Sequence, residues 1–251
     1  MIGEHRGRPY LSLVVPARNE SALIARTLGR LDAVLAGAGI DYEIVVSDSA
    51  STDDTAAIVS KLANPRVKLV RNTEAGKGRA IVTGMLAASG DCIGFIDADL
   101  EIDAGFILPM LEAVADGADF AIGFKATGDP ARSLHRRVAT ICYNALVRQL
   151  LGTPFQDHQA GLKLFRASCI RPLLPHVQST GWFWDSEVLF ALHRARARCA
   201  EVRVQTTQQR TTNVSFLRVS CELLVSALKL RLARRYPRHP GVPVPVIRSS
   251  G

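Results

Sequence analysis

Short apolar runs and amphipathic stretches alternate along the N-terminal half of the chain. The apolar runs lie at residues 11–16, 42–48, 67–70 and 92–97, and the intervening segments carry helical patterns at about 20–35, 55–63 and 79–88. This alternation, repeated about every 30 residues, is typical of βαβ units that build a parallel sheet. The runs are rich in Val, Ile and Leu without polar alternation, which predicts strands buried on both faces.

The second half of the chain is less regular. Strands are predicted at 119–125, 162–165 and 201–206, and helices at 133–152 and 216–235. We therefore predict an α/β fold with a mostly parallel central sheet flanked by helices and a C-terminal helical extension.

Composition narrows the class of protein. A chain of 251 residues accommodates one large domain or two small ones. It has no apolar run of 18 residues, no apolar segment near its N-terminus, and five scattered cysteines without a CxxC pair. We expect no membrane span, no secretory leader, no disulfide framework or zinc site, and a cytoplasmic location.

The net charge of +8 is concentrated near the C-terminus, where residues 194–251 hold twelve basic side chains against two acidic ones. Such a segment indicates an anionic partner or a solvated basic tail. No aromatic-interleaved basic motif occurs, so we predict no nucleic-acid partner. In helix 216–235, Arg218, Glu222 and Lys229 share one side, and the remainder is largely apolar. That arc either packs on the core or lies on a membrane beside Arg231, Arg234 and Arg235.

Three acidic residues follow the fourth apolar run: Asp97, Asp99 and Glu101. Carboxylates at close range disfavour one another's charged form, and a hard divalent cation relieves this conflict. The carboxyl ends of parallel strands share one edge of the sheet, so we expect Asn19 and Asp48 to converge there with the acids. The acids predict a Mg²⁺ or Mn²⁺ site, with an acidic surface turn as the alternative. Neither a GxGxxG nor a GxxxxGK[ST] motif is present, so the metal is expected to hold the phosphate.

These segments resemble the nucleotide-sugar domain of family 2 glycosyltransferases, which have a GT-A fold. The resemblance is carried by VVPARNE (14–20), EIVVSDSASTDDT (43–55), GKG (76–78) and FIDADLEID (95–103). Many relatives have a second acid after the position of Asp48, where this chain has Ser49. Because Asp48 itself is kept, the resemblance implies recognition of the base and ribose that is altered but not lost. The resemblance implies a metal held by Asp97 and Asp99 and a nucleotide pocket lined by Pro16, Ala17, Asn19, Glu20, Asp48, Lys77, Asp97 and Ala98.

Within that family the chain is most similar to polyprenyl-phosphate glycosyltransferases, the dolichyl-phosphate mannose and glucose synthases. The matching stretches are QDHQAGLKLFR (156–166), GWFWDSEVLFAL (181–192) and TNVSFLRVSCELLVSALKLRL (212–232). The resemblance implies one domain over 10–235, with a nucleotide-sugar half (10–125), an acceptor half (126–235) and a flexible tail (236–251). It also implies Glu101 as a third metal contact, catalytic roles for Lys125 and Arg136, and acceptor contacts from Thr140, Lys163, Trp184 and Asp185.

Several of these residues also have structural interpretations. Asp157 is either a general base or an organiser of its loop, and Lys163 either contacts phosphate or is a solvated strand residue. Trp182 and Trp184 either stack on a sugar or prenyl chain or belong to the core. Asp185 and Glu187 either line the site or cap a helix.

The expected function is inverting, metal-dependent transfer of a hexose from UDP-glucose or GDP-mannose to a polyprenyl phosphate, with the chain peripheral at the membrane. A phosphate acceptor is already an oxyanion near neutral pH and needs no strong base. A hydroxyl acceptor needs one, for which Asp157 is the candidate. The alternatives are a soluble glycosyltransferase acting on a small hydroxyl acceptor and a nucleotide-sugar-binding protein without turnover.

Overall fold

The computed structural model describes residues 8–125, 134–206, 225–232, 236 and 246–248, with backbone only for 134–140 and 246–248. The strands are β1 (Leu11–Ala17), β2 (Tyr42–Ser49), β3 (Val67–Asn72), β4 (Cys92–Ile96), β5 (Phe120–Lys125), β6 (Leu162–Arg166), β7 (Cys199–Val204) and β8 (Val246–Arg248). The helices are α1 (Ile24–Gly37), α2 (Thr55–Lys61), α3 (Lys77–Ala87), α4 (Ile107–Ala115), α5 (Leu134–Leu151), α6 (Ala167–Ile170), α7 (Trp184–Arg194) and α8 (225–232).

The strands form one sheet in the order β3-β2-β1-β4-β6-β5-β7-β8. All neighbouring strands are parallel except β6, which runs antiparallel to both β4 and β5. The chain passes from β1 outward to β2 and β3 and then returns to place β4 on the other side of β1. Strand order therefore reverses between β1 and β4, which is where open α/β sheets bind ligands.

Helices cover both faces of the sheet. On one face, Leu28 and Leu31 of α1 and Met110 of α4 pack against the strands. On the other face, Ile81 of α3 and Leu189 of α7 complete a second core. A third cluster joins α5, α7 and α8 through residues such as Val147, Phe190 and Leu230. Burial on both faces explains why the strands lack polar alternation.

The predicted fold class is confirmed: a mostly parallel central sheet with flanking helices and a C-terminal helical segment. The pattern did not predict α4, the reversed direction of β6, or β8. Strand β8 lies inside 236–251, predicted as a flexible tail, and most of that segment falls outside the described residues. No helix among the residues that the structure describes has the length and apolarity needed to cross a bilayer.

Candidate active site

The carboxyl edge of the sheet at the β1/β4 reversal collects the predicted polar residues. Asn19 follows β1, Asp48 lies at the end of β2, and Asp97 follows β4. The loop that enters β6 reaches the same edge because this strand is antiparallel, with Leu162 opposite Ile96. Asn19, Ala50 and Leu100 adopt φ values of 56°, 54° and 48°. Backbone in this left-handed region is strained for non-glycine residues, and such strain clusters at functional sites.

Asp97 is held in place from two sides. Its backbone N–H donates to the carbonyl of Gly161 at 2.9 Å. Lys77 Nζ lies 2.8 Å from Oδ1 and 2.9 Å from Oδ2 of Asp97, and the Lys77 side chain is only 11% exposed. Burial acts to lower the pKa of Lys77, but the charges of Asp97, Asp185 and Asp99 outweigh it and raise the pKa above its usual value. Lys77 is therefore a fully charged cation inside the acidic cluster.

The other two acids of the cluster have different surroundings. Asp99 Oδ1 accepts a hydrogen bond from the N–H of Glu101 at 3.1 Å. Burial in the crevice, and then the charge of Asp97, raise the pKa of Asp99. Glu101 is paired with Lys125, whose Nζ lies 2.6 Å from Oε2. Each of two acids in the cluster therefore already faces a lysine.

The described residues contain no group of three His, Cys, Asp or Glu side chains arranged to hold a metal ion. The predicted ligands Asp97, Asp99 and Glu101 lie at every second position of the chain, yet they do not form a three-carboxylate cage. Mg²⁺ and Mn²⁺ usually take one or two carboxylates and complete their shell with substrate phosphate and water. Asp97 and Asp99 fit that smaller donor set, since burial and then the charge of Asp97 raise the pKa of Asp99 and a bound cation would offset both.

The predicted nucleotide pocket is bounded by the ends of β1 and β2. Asn19 Oδ1 accepts from the N–H of Thr52 at 2.9 Å, and the N–H of Glu20 donates to Thr55 Oγ1 at 2.8 Å. Asp48 is buried, and its Oδ1 has no hydrogen-bond partner among the described residues. Its other oxygen lies 3.9 Å from Arg71 Nε. An unsatisfied buried acceptor is costly unless a ligand or water completes it.

Pro16, Ala17 and Ala98 complete the predicted nucleotide pocket and shape it through their backbone and packing. Pro16 and Ala17 end β1, directly beside Ser47 and Asp48 of β2. Ala98 is buried, and its carbonyl accepts from Thr27 Oγ1 of α1 at 2.6 Å. These contacts tie the turn after β4 to α1.

Ser49 connects the β2 end to the start of α3. Its Oγ accepts from the N–H of Gly76 at 2.9 Å. A Cβ at Gly76 would lie 2.4 Å from the carbonyl oxygen of Thr180, so only glycine allows this approach. Ser49 thus fixes the loop that carries Lys77.

Asp157 lies in the loop before β6 and is buried. Its Oδ1 accepts from the N–H of Gln159 at 3.0 Å and from Asn144 Nδ2 at 3.4 Å. The neighbouring His158 is fully buried, and burial followed by the charge of Lys163 lowers its pKa to about 3. His158 is therefore neutral at physiological pH and does not act as a proton donor there.

Three predicted acceptor contacts belong to the protein interior. Lys163 and Asp185 are fully buried and form an ion pair at 2.5 Å. Trp184 is fully buried and packs edge-on against Phe95, with ring centroids 5.5 Å apart. Because Lys163 is buried, its interpretation as a solvated residue is wrong. The three side chains expose no surface that an acceptor could contact, so the structure does not support the predicted acceptor contacts. Burial follows because β6 is central in the sheet and α7 covers it.

Trp182 is the tryptophan that reaches the crevice, with 49% of its surface exposed. Its ring lies 4.9 Å from Lys77 Nζ, and the Phe95 ring lies 5.6 Å from the same atom. Sequence reasoning weighed Trp182 but did not assign it to the site. Arg136 and Thr140 lie on α5, and their side chains fall outside the described residues.

The model of "Glycosyl transferase family 2" matches residues 12–174. The chain belongs to glycosyltransferase family 2. That membership confirms the predicted family and the prediction of a glycosyltransferase.

Individual relatives point in the same direction. The chain is 31% identical over 218 residues to glycosyltransferase AglD of Haloferax volcanii, covering 83% of this chain and 35% of that protein. It is 26% identical over 221 residues to the dolichyl-phosphate beta-glucosyltransferase of Saccharomyces cerevisiae, covering 78% of this chain and 66% of that protein. The chain spans between about a third and about half the length of several other curated relatives it matches.

Solved structures support the fold. Glucosyl-3-phosphoglycerate synthase of Mycobacterium tuberculosis, crystallised with Mn²⁺, UDP-glucose and phosphoglyceric acid, superposes with a TM-score of 0.67 at 22% identity. The match covers 90% of this chain and 80% of that chain. The shared architecture confirms the GT-A prediction.

Proposed function

We propose that this glycosyltransferase moves a hexose from a nucleotide diphosphate sugar to a polyprenyl phosphate, with inversion and with a divalent metal. The observation that carries the proposal is the contact of Lys77 with both carboxylate oxygens of Asp97 at the strand-order reversal. This edge holds a positive charge at the place where a donor diphosphate is expected to bind.

The donor side is formed by β1 and β2. The unsatisfied Oδ1 of Asp48 suits a donor group of the base or ribose. Asn19 and Glu20 lie at the adjoining turn, held by Thr52 and Thr55. UDP-glucose is the first candidate, since the yeast relative is named a glucosyltransferase and the M. tuberculosis structure contains UDP-glucose. GDP-mannose is the second.

The charge on the departing nucleoside diphosphate is stabilised both by a metal bound to the acids and by the lysines beside them. A bound Mg²⁺ or Mn²⁺, held by Asp97 and Asp99, would neutralise charge on the departing nucleoside diphosphate. Lys77 and Lys125 are largely buried ammonium groups that already lie among these acids. Cations that lie beside the departing diphosphate stabilise the negative charge that develops on it in the transition state.

The acceptor decides whether a base is needed. A lipid monophosphate is an oxyanion near neutral pH, so Lys125 and Arg136 suffice to orient it while Thr140 lines its path. Lys163 and Asp185 contribute from the interior, since Lys163 Nζ lies 5.2 Å from the Phe95 ring that also faces Lys77. A hydroxyl acceptor is the second candidate, favoured by Asp157, whose Oδ1 is fixed by Gln159 and Asn144 as expected for an oriented base.

A transfer assay separates the two acceptors. The purified chain is supplied with Mn²⁺, each labelled donor and either undecaprenyl phosphate or a small hydroxyl acceptor, and products are identified by mass. With a lipid-phosphate product, Asp157→Asn is expected to lower kcat by less than about tenfold, whereas a hydroxyl product predicts a loss of at least about 100-fold. Asp116→Asn, at an exposed helix end, is the matched control. A severe Asp157→Asn loss with a lipid-phosphate product contradicts the assignment of Asp157.

A peripheral membrane contact is proposed at the α5/α8 surface. Exposed apolar side chains on these helices are Ile141, Leu146, Val225, Leu228 and Leu232, and the last is 79% exposed. Lys229 and Arg231 lie exposed beside them. An apolar surface with adjoining cations suits an anionic membrane.

Vesicle sedimentation tests this contact. The chain is expected to sediment with phosphatidylglycerol vesicles and less with phosphatidylcholine vesicles. Leu228→Glu/Leu232→Glu should abolish sedimentation, while Leu86→Glu, an exposed leucine on α3, should not. Equal sedimentation of both variants would contradict this surface.

A further inference from the structure

Lys77 is a built-in cation at the predicted metal site. Its Nζ contacts both oxygens of Asp97, at 2.8 and 2.9 Å. The rings of Trp182 and Phe95 lie 4.9 and 5.6 Å from the same ammonium group. Two oxygens and two aromatic faces thus surround one positive charge, as they would surround a bound cation.

The backbone on both sides of Lys77 is held in place by neighbouring segments. Lys77 is the first residue of α3, and the adjoining Gly76 is held by Ser49. A Cβ at Gly78 would lie 2.6 Å from the carbonyl oxygen of Ser179 and 2.7 Å from Cβ of Trp184. The start of α3 is therefore locked against the segment before α7. The flexible part of this arrangement is the four-carbon stem of Lys77.

The same carboxylate cannot serve both cations well. A divalent ion on Asp97 would stand within a few ångströms of the Lys77 ammonium, where like charges repel strongly. Its stem lets Lys77 swing away, but the ammonium then needs another anion. A nucleoside diphosphate bound at this edge supplies that anion.

We propose that the divalent metal and Lys77 exchange on Asp97, so that metal and donor diphosphate bind cooperatively. This inference rests on the proposed function. It adds a role for Lys77, which disfavours binding of the metal when no donor is bound. The metal alone binds weakly because it must displace the Lys77 ammonium from both carboxylate oxygens of Asp97. With diphosphate present, the displaced ammonium binds phosphate oxygens, and both ligands gain affinity by the same factor.

Lys77→Met tests the exchange by removing the competing charge while keeping an unbranched apolar stem. Titration with Mn²⁺ alone, followed by the loss of the free Mn²⁺ paramagnetic resonance signal, is expected to show affinity at least about fivefold tighter than wild type. Titration with UDP present is expected to show that UDP enhances Mn²⁺ affinity less in Lys77→Met than in wild type. Thermal melting confirms that each variant is folded.

Two further variants keep the test specific. Lys77→Arg retains the charge and is expected to bind Mn²⁺ alone as weakly as wild type. Lys68→Met removes an ammonium paired with Glu43, away from the cluster, and should leave Mn²⁺ affinity unchanged. Equal or weaker Mn²⁺ binding by Lys77→Met than by wild type overturns the exchange, as does Lys77→Arg binding as tightly as Lys77→Met. Absence of Mn²⁺ binding by every folded protein, with and without UDP, overturns the metal-dependent function itself.

Discussion

Gly161 leaves no room for a side chain beside Asp97, because a Cβ on Gly161 would lie 2.3 Å from Oδ2 and 2.9 Å from Cγ of Asp97. Its carbonyl also accepts the backbone N–H of Asp97. The loop before β6 therefore sets the position of the carboxylate that holds Lys77. This contact joins the loop before β6 to the turn after β4.

Gly161→Ala is expected to push Asp97 out of register and to weaken metal-dependent UDP binding by at least about tenfold. The physical reason is overpacking, which in a tight interior costs about 1–3 kcal/mol. Calorimetry measures the affinity, and urea unfolding measures the stability.

Gly29→Ala is the matched control. Gly29 lies in α1, and a Cβ there would meet nothing within 4 Å. Alanine in a helix interior should raise stability by about 0.5–1 kcal/mol and leave UDP binding unchanged. If Gly161→Ala binds UDP as wild type does, Gly161 does not position Asp97.

The two tryptophans should respond oppositely to truncation. Trp184→Ala removes a fully buried ring packed on Phe95 and is expected to cost about 3–5 kcal/mol in the free energy of unfolding. Trp182→Ala removes a half-exposed ring and should change stability by less than about 0.5 kcal/mol. Urea unfolding distinguishes the two. Similar losses in both variants would argue against a core role for Trp184.

The buried pair of Lys163 and Asp185 should behave as one unit. Lys163→Met or Asp185→Asn alone leaves the other residue's charge buried without a partner. Each is expected to lower the free energy of unfolding by about 3–5 kcal/mol. The double variant should lose less than the sum of the two single losses, since no charge remains uncompensated. The cycle is measured by chemical unfolding. Additive losses would show that the two side chains do not interact.

Glu43 should make stability depend on acid pH. Burial acts to raise its pKa, but hydrogen bonds from Lys68, Ser12 and Ser89 outweigh burial and lower the pKa to about 2. A folded-state pKa below the unfolded value of 4.5 stabilises the fold above that value, and this stabilisation is lost as pH falls toward 2.

Thermal melting between pH 6 and pH 2 checks this dependence. Glu43→Gln is expected to flatten the loss of stability over that range, because the residue no longer titrates. Glu74→Gln, at an exposed ion pair with Arg79, is the control and should follow wild type. A Glu43→Gln profile parallel to wild type would refute the assignment.

The residues at the carboxyl edge of the sheet were predictable because the sequence features that identify them are local. The run of residues 92–96 reads as a buried strand, and Asp97, Asp99 and Glu101 follow it directly in sequence. The parallel sheet then places Asn19 and Asp48 at the same edge without knowledge of any contact. The resemblance added Lys77 to this set.

The features that could not be predicted depend on contacts between residues far apart in sequence or on exceptions to the usual residue preferences. Lys163 in LKLF reads as a solvated lysine, and its partner Asp185 lies 22 residues away on α7. A buried strand has the same pattern in either direction, so nothing local reverses β6. Helix α4 contains Pro109, which reads as a breaker but lies in the first turn, where proline is tolerated.

The central claim is that the acids after β4 hold a cation that holds a donor diphosphate. Calorimetric titration of UDP, GDP, UDP-glucose and GDP-mannose, with and without Mn²⁺, tests it on wild type and on Asp97→Ala/Asp99→Ala. We predict metal-dependent binding of one nucleotide and its sugar, lost in the double variant, which would also identify the base. If folded wild-type protein binds none of the four with Mn²⁺ present, the donor site is wrong and residues 97–101 are an acidic turn.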